Sequence, residues 1–168
     1  MMAPMQDINY DNSRLRRQDR RMERAEAVSL LERGEYGVLS VTNAQGAPYG
    51  VPMCYAWDGG AAIYRHCAPE GEKLACLAAN AMASLCVVGR ARVLEQKFSM
   101  EFESLVIRCR AAVVTGEEEK KRALLLLVAK YSPNYADEGR QYVDRTHAKT
   151  TVIRLDVLSM SGKRRFAK

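Results

Sequence analysis

The spacing of apolar positions changes several times along this chain, and each change marks an element. In RAEAVSLLERG (Arg24 to Gly34), Ala27, Val28, Leu30 and Leu31 share one side of a helix, and Gly34 is a natural stop. YGVLSVT (Tyr36 to Thr42) switches to a β-rich pattern, and NAQG after it predicts a hairpin turn. APYGVPMCYAW (Ala47 to Trp57) resumes as a strand. Its Pro48 and Pro52 lack N–H groups and mark an edge, a bulge or an exit from the ladder. DGG (Asp58 to Gly60) predicts a second hairpin turn, and AAIYRHC (Ala61 to Cys67) a third strand.

EKLACLAANA (Glu72 to Ala81) returns to helical spacing, with Leu74, Leu77 and Ala78 on the face expected to be buried. ASLCVVGRARVLE (Ala83 to Glu95) and FESLVIRCRAAVVT (Phe102 to Thr115) read as two long strands that can pair as a hairpin. GEEEKKRALLLLVAKYS (Gly116 to Ser132) is an amphipathic helix with acids in its first turn, Lys130 in its last and Pro133 beyond. DEGRQYVDRTH (Asp137 to His147) is a weaker helical piece, and TTVIRLDVLSMSG (Thr150 to Gly162) closes as a strand. Strands joined by short turns imply antiparallel pairing. Regular strand–helix alternation is missing, which argues against a doubly wound parallel sheet. The expected fold is mainly β with peripheral helices: a six-stranded antiparallel barrel, whose closure hides strand edges.

The chain of 168 residues suits one domain with one core. Residues 1–15 read as a flexible tail, 16–161 as the folded domain, and 162–168 as a basic tail. No apolar run approaches the roughly 20 residues that cross a bilayer, and the N-terminus has no apolar signal region, so a cytoplasmic protein without membrane contact is expected. The net charge of +6 changes meaning once mapped. Six arginines and two acids lie between 14 and 24, four basic residues and no acid after 161, and two acids before 14. The body is therefore neutral, and nucleic acid is not an expected partner. Five cysteines without a CxxC pair argue against a disulfide framework or structural zinc, and two histidines set no metal site.

Candidate chemistry gathers in YRHCAPEGEKLACL. If the strands flanking the 58–60 turn pair along their length, Val51–Met53 lie near Tyr64–His66. Lys73 opens the next helix beside free N–H groups, a favourable setting for an anion. His66 adds a group that titrates near neutrality. From spacing alone, a solvated Lys73 and a strand-end His66 are the preferred reading of the stretch.

From about Arg16 to Arg165 the sequence resembles the nitroimidazole-resistance (Nim) proteins, part of the pyridoxamine-phosphate-oxidase-like, FMN-binding split-barrel superfamily. The resemblance rests on the order and spacing of RRQDR (16–20), GEYGVLS (34–40), PYGVPMCY (48–55), HCAPEGEKL (66–74), CVVG (86–89), ESLVI (103–107), KYSP (130–133) and SGKRR (161–165). It implies a six-stranded split barrel that works as a homodimer with FMN at the subunit interface. It implies that the backbone of Gly50, Val51, Pro52 and Met53 runs along the flavin ring and that Lys73 binds the phosphate. His66 and Cys67 would flank the cofactor or face the substrate. Ser104 is a phosphate contact or an ordinary outward-facing strand serine.

The function implied is an FMN-dependent oxidoreductase acting on small electrophiles such as 5-nitroimidazoles. Its alternatives are a flavin carrier or sensor without turnover, and a haem-handling split barrel with His66 on iron. His66 is the catalytic candidate, by orienting or protonating substrate, with a purely structural hydrogen bond as the competing role. Cys67 reads as pocket wall, His147 as a loop residue, and Tyr55 and Trp57 as core or interface. The chain departs from the family pattern at Arg65, usually aromatic, and at Arg108-Cys109, usually apolar-Gly. An outward Arg65 would be harmless, and an inward one would add positive charge beside the ligand.

Overall fold

A computed structural model describes residues 8–166. The strands are β1 (Gly37–Thr42), β2 (Pro48–Met53), β3 (Ala56–Trp57), β4 (Ala62–Cys67), β5 (Met82–Leu94), β6 (Ser99–Val113) and β7 (Thr151–Arg165), and the helices are α1 (Arg24–Arg33), α2 (Glu72–Ala79), α3 (Glu117–Tyr131) and α4 (Ala136–Thr146). The strands form one antiparallel sheet of seven in the order β2-β1-β5-β6-β7-β4-β3. This hydrogen-bonded order is open: β2 lies at one edge and β3 at the other.

Seven strands stand where six were expected because the 47–57 segment breaks after Met53. At the break the backbone leaves the ladder for a side chain. The Tyr55 N–H donates to Tyr131 Oη (2.9 Å), and the Tyr131 hydroxyl lies 2.8 Å from Tyr55 O and 2.7 Å from Glu35 O, donating to one at a time. Pairing across the 58–60 turn is therefore limited to Ala56 with Tyr64 and Trp57 with Ile63, and does not reach Val51–Met53.

The main core lies against one sheet face and is filled by Leu30, Leu31, Leu39, Leu85, Leu105, Ile107, Ile153 and Leu155, with α1 and α2 packed on it. Helix α1 starts in a capping box in which the Glu23 N–H donates to the Glu26 carboxylate at 3.0 Å. On α2, Cys76 and Leu77 are buried and Ala78 is exposed, which turns the helix slightly from the expected face. A second core lies under α3 and α4, where Leu124, Leu127 and Val143 meet Tyr64 and Val152. Gly139 permits this packing: a Cβ there would lie 2.3 Å from Val128 Cγ1.

Both ends of the chain differ from the expected tails. The proposed tail of residues 1–15 is described only from residue 8. There Ile8 is buried and Tyr10 bridges to Met160 on β7, with its hydroxyl donating to Met22 O at 2.6 Å. Residues 162–165 are not tail either: β7 continues through them, paired with β6 to Phe102–Arg165, and Arg164 bonds Glu26 at 3.0 Å. A charged sequence made these residues look solvated, but the ladder uses their backbone and leaves the charges at the surface.

Candidate functional site

Strand β4 is buried from Ala62 to Arg65 and exposed at His66, and its alternation divides the candidate residues between two environments. Arg65 pairs with Ile153 and faces the main core; His66 pairs with Val152, which belongs to the core under α3 and α4. Cys67 packs against the main core, on the side of Ile63 and Arg65. The stretch read as one cluster is thus two. Arg65, Cys67 and Lys73 lie together on one side, and His66 opens on the other.

The first group is cationic. Arg65 is 2 % exposed. Its Nη1 contacts Met53 Sδ, its Nε has no hydrogen-bond partner, and no described carboxylate pairs with it. Burial pushes its pKa down to about 10, against the pull of Cys67 and Cys54. Lys73 is half-buried at the start of α2, with Nζ 3.8 Å from where a Gly71 Cβ would stand. Gly71 itself has φ 129°, a conformation that other residues rarely adopt. Burial raises the Cys67 pKa, while Lys73 and Arg65 both pull it down, so the thiol lies within electrostatic reach of both cations. The family departure at Arg65 therefore points inward.

Strand β2 adjoins this group through Met53. Tyr49, Val51 and Met53 pack on the main core, while Pro48, Gly50 and Pro52 are exposed. Among the described strands β2 pairs only with β1, so its outer edge is open. A Cβ at Gly50 would meet nothing closer than Val38 Cγ1 at 3.6 Å. Packing within the chain does not demand glycine there; its absence of a side chain keeps the exposed face flat. A planar group with hydrogen-bonding edges fits such a strand, and an anionic appendage fits the unpartnered guanidinium and Lys73. The residues present thus fit a phosphorylated flavin.

His66 lines a cavity of about 630 Å³ between β4, α3 and α4, with Cys54, Leu127, Tyr131, Tyr135 and Tyr142. Although His66 is exposed, the part of its ring turned into the cavity loses water, and this partial desolvation, then Arg65, lowers its pKa and favours the neutral imidazole. Ser104 is remote from Lys73 within one chain: it pairs with Lys163 near the end of β7, whereas His66 pairs with Val152 near its start. It shares the outer sheet face with Gly50 and Pro52, however. The row Pro52–Val38–Cys86–Val106 crosses that face, and Ser104 stands two residues from Val106. Cys109 fills core, its thiol 3.5 Å from Ala83 O. Tyr55 is core, with its hydroxyl donating to Leu31 O at 2.7 Å, and Trp57 donates to Gly60 O at 2.8 Å. His147 is 3.3 Å from Glu117 in a short turn after α4.

Sequence reasoning gave no role to Tyr131, and to Lys130 only a place in the last turn of α3. Tyr131 holds the β2–β3 break, and Lys130 lies 3.7 Å over the Tyr55 ring, its pKa lowered by burial to about 8. The only signal was the KYSP motif, which carries no chemistry by itself. Buried Glu101 and Glu103 were also unreadable, because their partners are distant in sequence: Arg33 bonds Glu103 at 2.8 Å and Arg90 bonds Glu101 at 2.7 Å. Among the described residues no group of three or more His, Cys, Asp or Glu is placed to hold a metal ion, and no helix is long and apolar enough to cross a membrane.

The profile of the family described as "Pyridoxamine 5'-phosphate oxidase" matches residues 23–164. No curated protein matches the chain. Among solved structures, a candidate 5-nitroimidazole antibiotic resistance protein from Bacteroides thetaiotaomicron is similar at 24% identity, covering 84% of each chain, with TM-score 0.72. A flavocytochrome from Azotobacter vinelandii is similar at 20% identity over 88% of this chain and 69% of its own, with TM-score 0.71. A FAD and heme binding protein from Mycobacterium smegmatis is similar at 18% identity over 86% of this chain and 72% of its own, with TM-score 0.73.

Proposed function

The chain belongs to the pyridoxamine 5'-phosphate oxidase family, and from that premise we propose that it binds FMN as a homodimer and acts as an oxidoreductase on small electrophiles such as 5-nitroimidazoles. The observation that carries this reading is the open edge of β2: an exposed Gly50–Pro52 face whose outer edge pairs with no described strand, near Arg65 and Lys73, neither of which has a carboxylate partner among the described residues. The choice of 5-nitroimidazoles is supported by the similarity to the Bacteroides protein.

In this reading the backbone of Gly50, Val51, Pro52 and Met53 lies along the flavin edge, and Lys73 holds the phosphate at the start of α2. Bound FMN supplies the redox chemistry. The chain orients the ring on β2 and shields its buried side with Met53 and Cys67. His66, across β4 from the cations, would supply an N–H only to a substrate that approaches from the α3–α4 side. The outer face with exposed Val88 and Val106 continues from Gly50 and Pro52, and supports a two-fold interface that brings the partner's copy of that face to the flavin. Ser104, on the same face, would contact the phosphate only across that interface.

Purified protein is expected to show flavin absorbance, and its flavin, reduced anaerobically, to be reoxidised by a 5-nitroimidazole. A flavin that stays reduced would rule out the reductase reading and favour a carrier or sensor. Lys73→Ala should weaken FMN binding at least about tenfold, the loss of one charge-assisted contact; unchanged affinity would remove Lys73 from the phosphate site.

The His66 cavity favours a second reading. It lies across β4 from the cations, and its apolar floor of Leu124, Leu127, Val128 and Val143 with tyrosines at the rim is a setting for a flat apolar cofactor such as haem, with the imidazole on iron and Arg145 for a carboxylate. Of the similar structures, one is described as a FAD and heme binding protein and another as a flavocytochrome. A Soret band that disappears in His66→Ala would establish it, and its absence after haem addition would exclude it.

A further inference from the structure

Arg65 is the group that the core does not explain. A guanidinium removed from water ordinarily finds a carboxylate or several carbonyl oxygens, because leaving it uncompensated is costly. Here it is 2 % exposed, its Nε is unbonded, and its one recorded side-chain partner is the Met53 thioether, a weak acceptor. It also stands where the sheet is open. Met53 ends β2, Arg65 is near the end of β4, and these two strands are not hydrogen-bonded to each other. The seam between them is closed over the guanidinium by an unbranched, flexible Met side chain, which can move aside without breaking a ladder. Past the end of β4, on the same side as Cys67, Lys73 presents a second cation at the first turn of α2.

We propose that Arg65 and Lys73 together hold a phosphate monoester, with Arg65 as the residue that makes the site select a phosphorylated flavin over its unphosphorylated form. This rests on the flavin reading above and adds a binding residue to it. The division of labour follows from the side chains. Lys73 offers a point charge at the site's mouth, whereas Arg65 offers a planar fork that can meet two phosphate oxygens at once. Met53 covers the fork until the ligand enters along the seam. The buried cation is thus tolerated in the free protein and compensated in the complex.

The test measures FMN and riboflavin affinity for the native protein, Arg65→Met, Arg65→Lys and Lys73→Ala, together with melting temperature with and without inorganic phosphate. Methionine fills similar space without the charge. Arg65→Met should lose about tenfold to a hundredfold in FMN affinity, the range of charge-assisted hydrogen bonds, and keep its riboflavin affinity. Its ligand-free melting temperature should equal or exceed that of the native protein, since an unpaired buried charge has gone. Arg65→Lys should fall between the two, and it serves as the readout if Arg65→Met does not fold. An unchanged FMN-to-riboflavin ratio in both Arg65 variants would overturn the proposal. If the native protein binds no flavin at all, the flavin reading fails separately. Stabilisation by inorganic phosphate that is present in the native protein and lost in the Arg65 variants would then still support the anion site, and equal stabilisation, or none, would overturn it.

Discussion

The two histidines give the clearest view of how environment sets chemistry here. The His66 pKa is lowered by partial desolvation and by neighbouring Arg65. Its folded pKa is lowered, so below about 6.5, the ordinary value, the unfolded chain takes up the proton first, and stability falls as pH drops through that range. With only two histidines, proton NMR resolves the titration directly. The His66 ring should titrate below 6.5, and a midpoint above that value would contradict its partial desolvation beside Arg65. Gly50 offers a complementary test. A leucine there meets no crowding from the protein, with the nearest atom at 3.6 Å from its Cβ, so the fold should tolerate Gly50→Leu. The same side chain would stand where the flavin is proposed to lie. The expected result is a melting temperature within a few degrees of native and loss of flavin binding, and retained binding would move the ring off β2.

The β2–β3 break shows how one side chain can replace a stretch of ladder. Tyr131, at the end of α3, accepts from the Tyr55 N–H and donates back to a carbonyl, which lets the chain leave β2 and rejoin as β3 without orphaned backbone groups. Tyr131→Phe keeps the ring and removes the hydroxyl. It should cost about 1–3 kcal/mol, the price of an unsatisfied buried donor, measured by urea unfolding with an unchanged slope. A cost near zero would mean that water or a local shift satisfies Tyr55. Most elements were visible in the sequence. The α1 and α3 spans, the β5–β6 hairpin and the turn at 58–60 follow from period, capping and turn chemistry. The β2–β3 break was invisible, because Cys54 and Tyr55 are good strand residues and their departure depends on Tyr131, far along the chain. The ends were misread for a related reason: charge marks a residue as solvated but does not say whether its backbone is paired.

For the molecule as a whole, the outer face of β1, β5 and β6 is the surface to test. Val88 and Val106 stand exposed on a sheet face that continues from Gly50 and Pro52, and isolated monomers rarely leave such rows uncovered. Val106→Glu would place a charge in the middle of the proposed two-fold interface. Light scattering with size exclusion should report a dimer for the native protein and a monomer for the variant, with flavin lost in parallel. A native monomer that still binds flavin would refute the shared site.

Local pattern set the kind of elements, the antiparallel sheet and the presence of Lys73 at a helix start, because period, turn residues and charge act over a few positions. Family-like order added the expectation of a flavin along Gly50–Met53. Tertiary structure alone decided the side of β4 on which each candidate lies. Alternation along β4 sends Arg65 into the main core and leaves His66 exposed on the opposite side, toward α3 and α4, and neighbours in sequence become occupants of separate sites. Only that decision turns Arg65 from a surface charge into a buried cation without a partner.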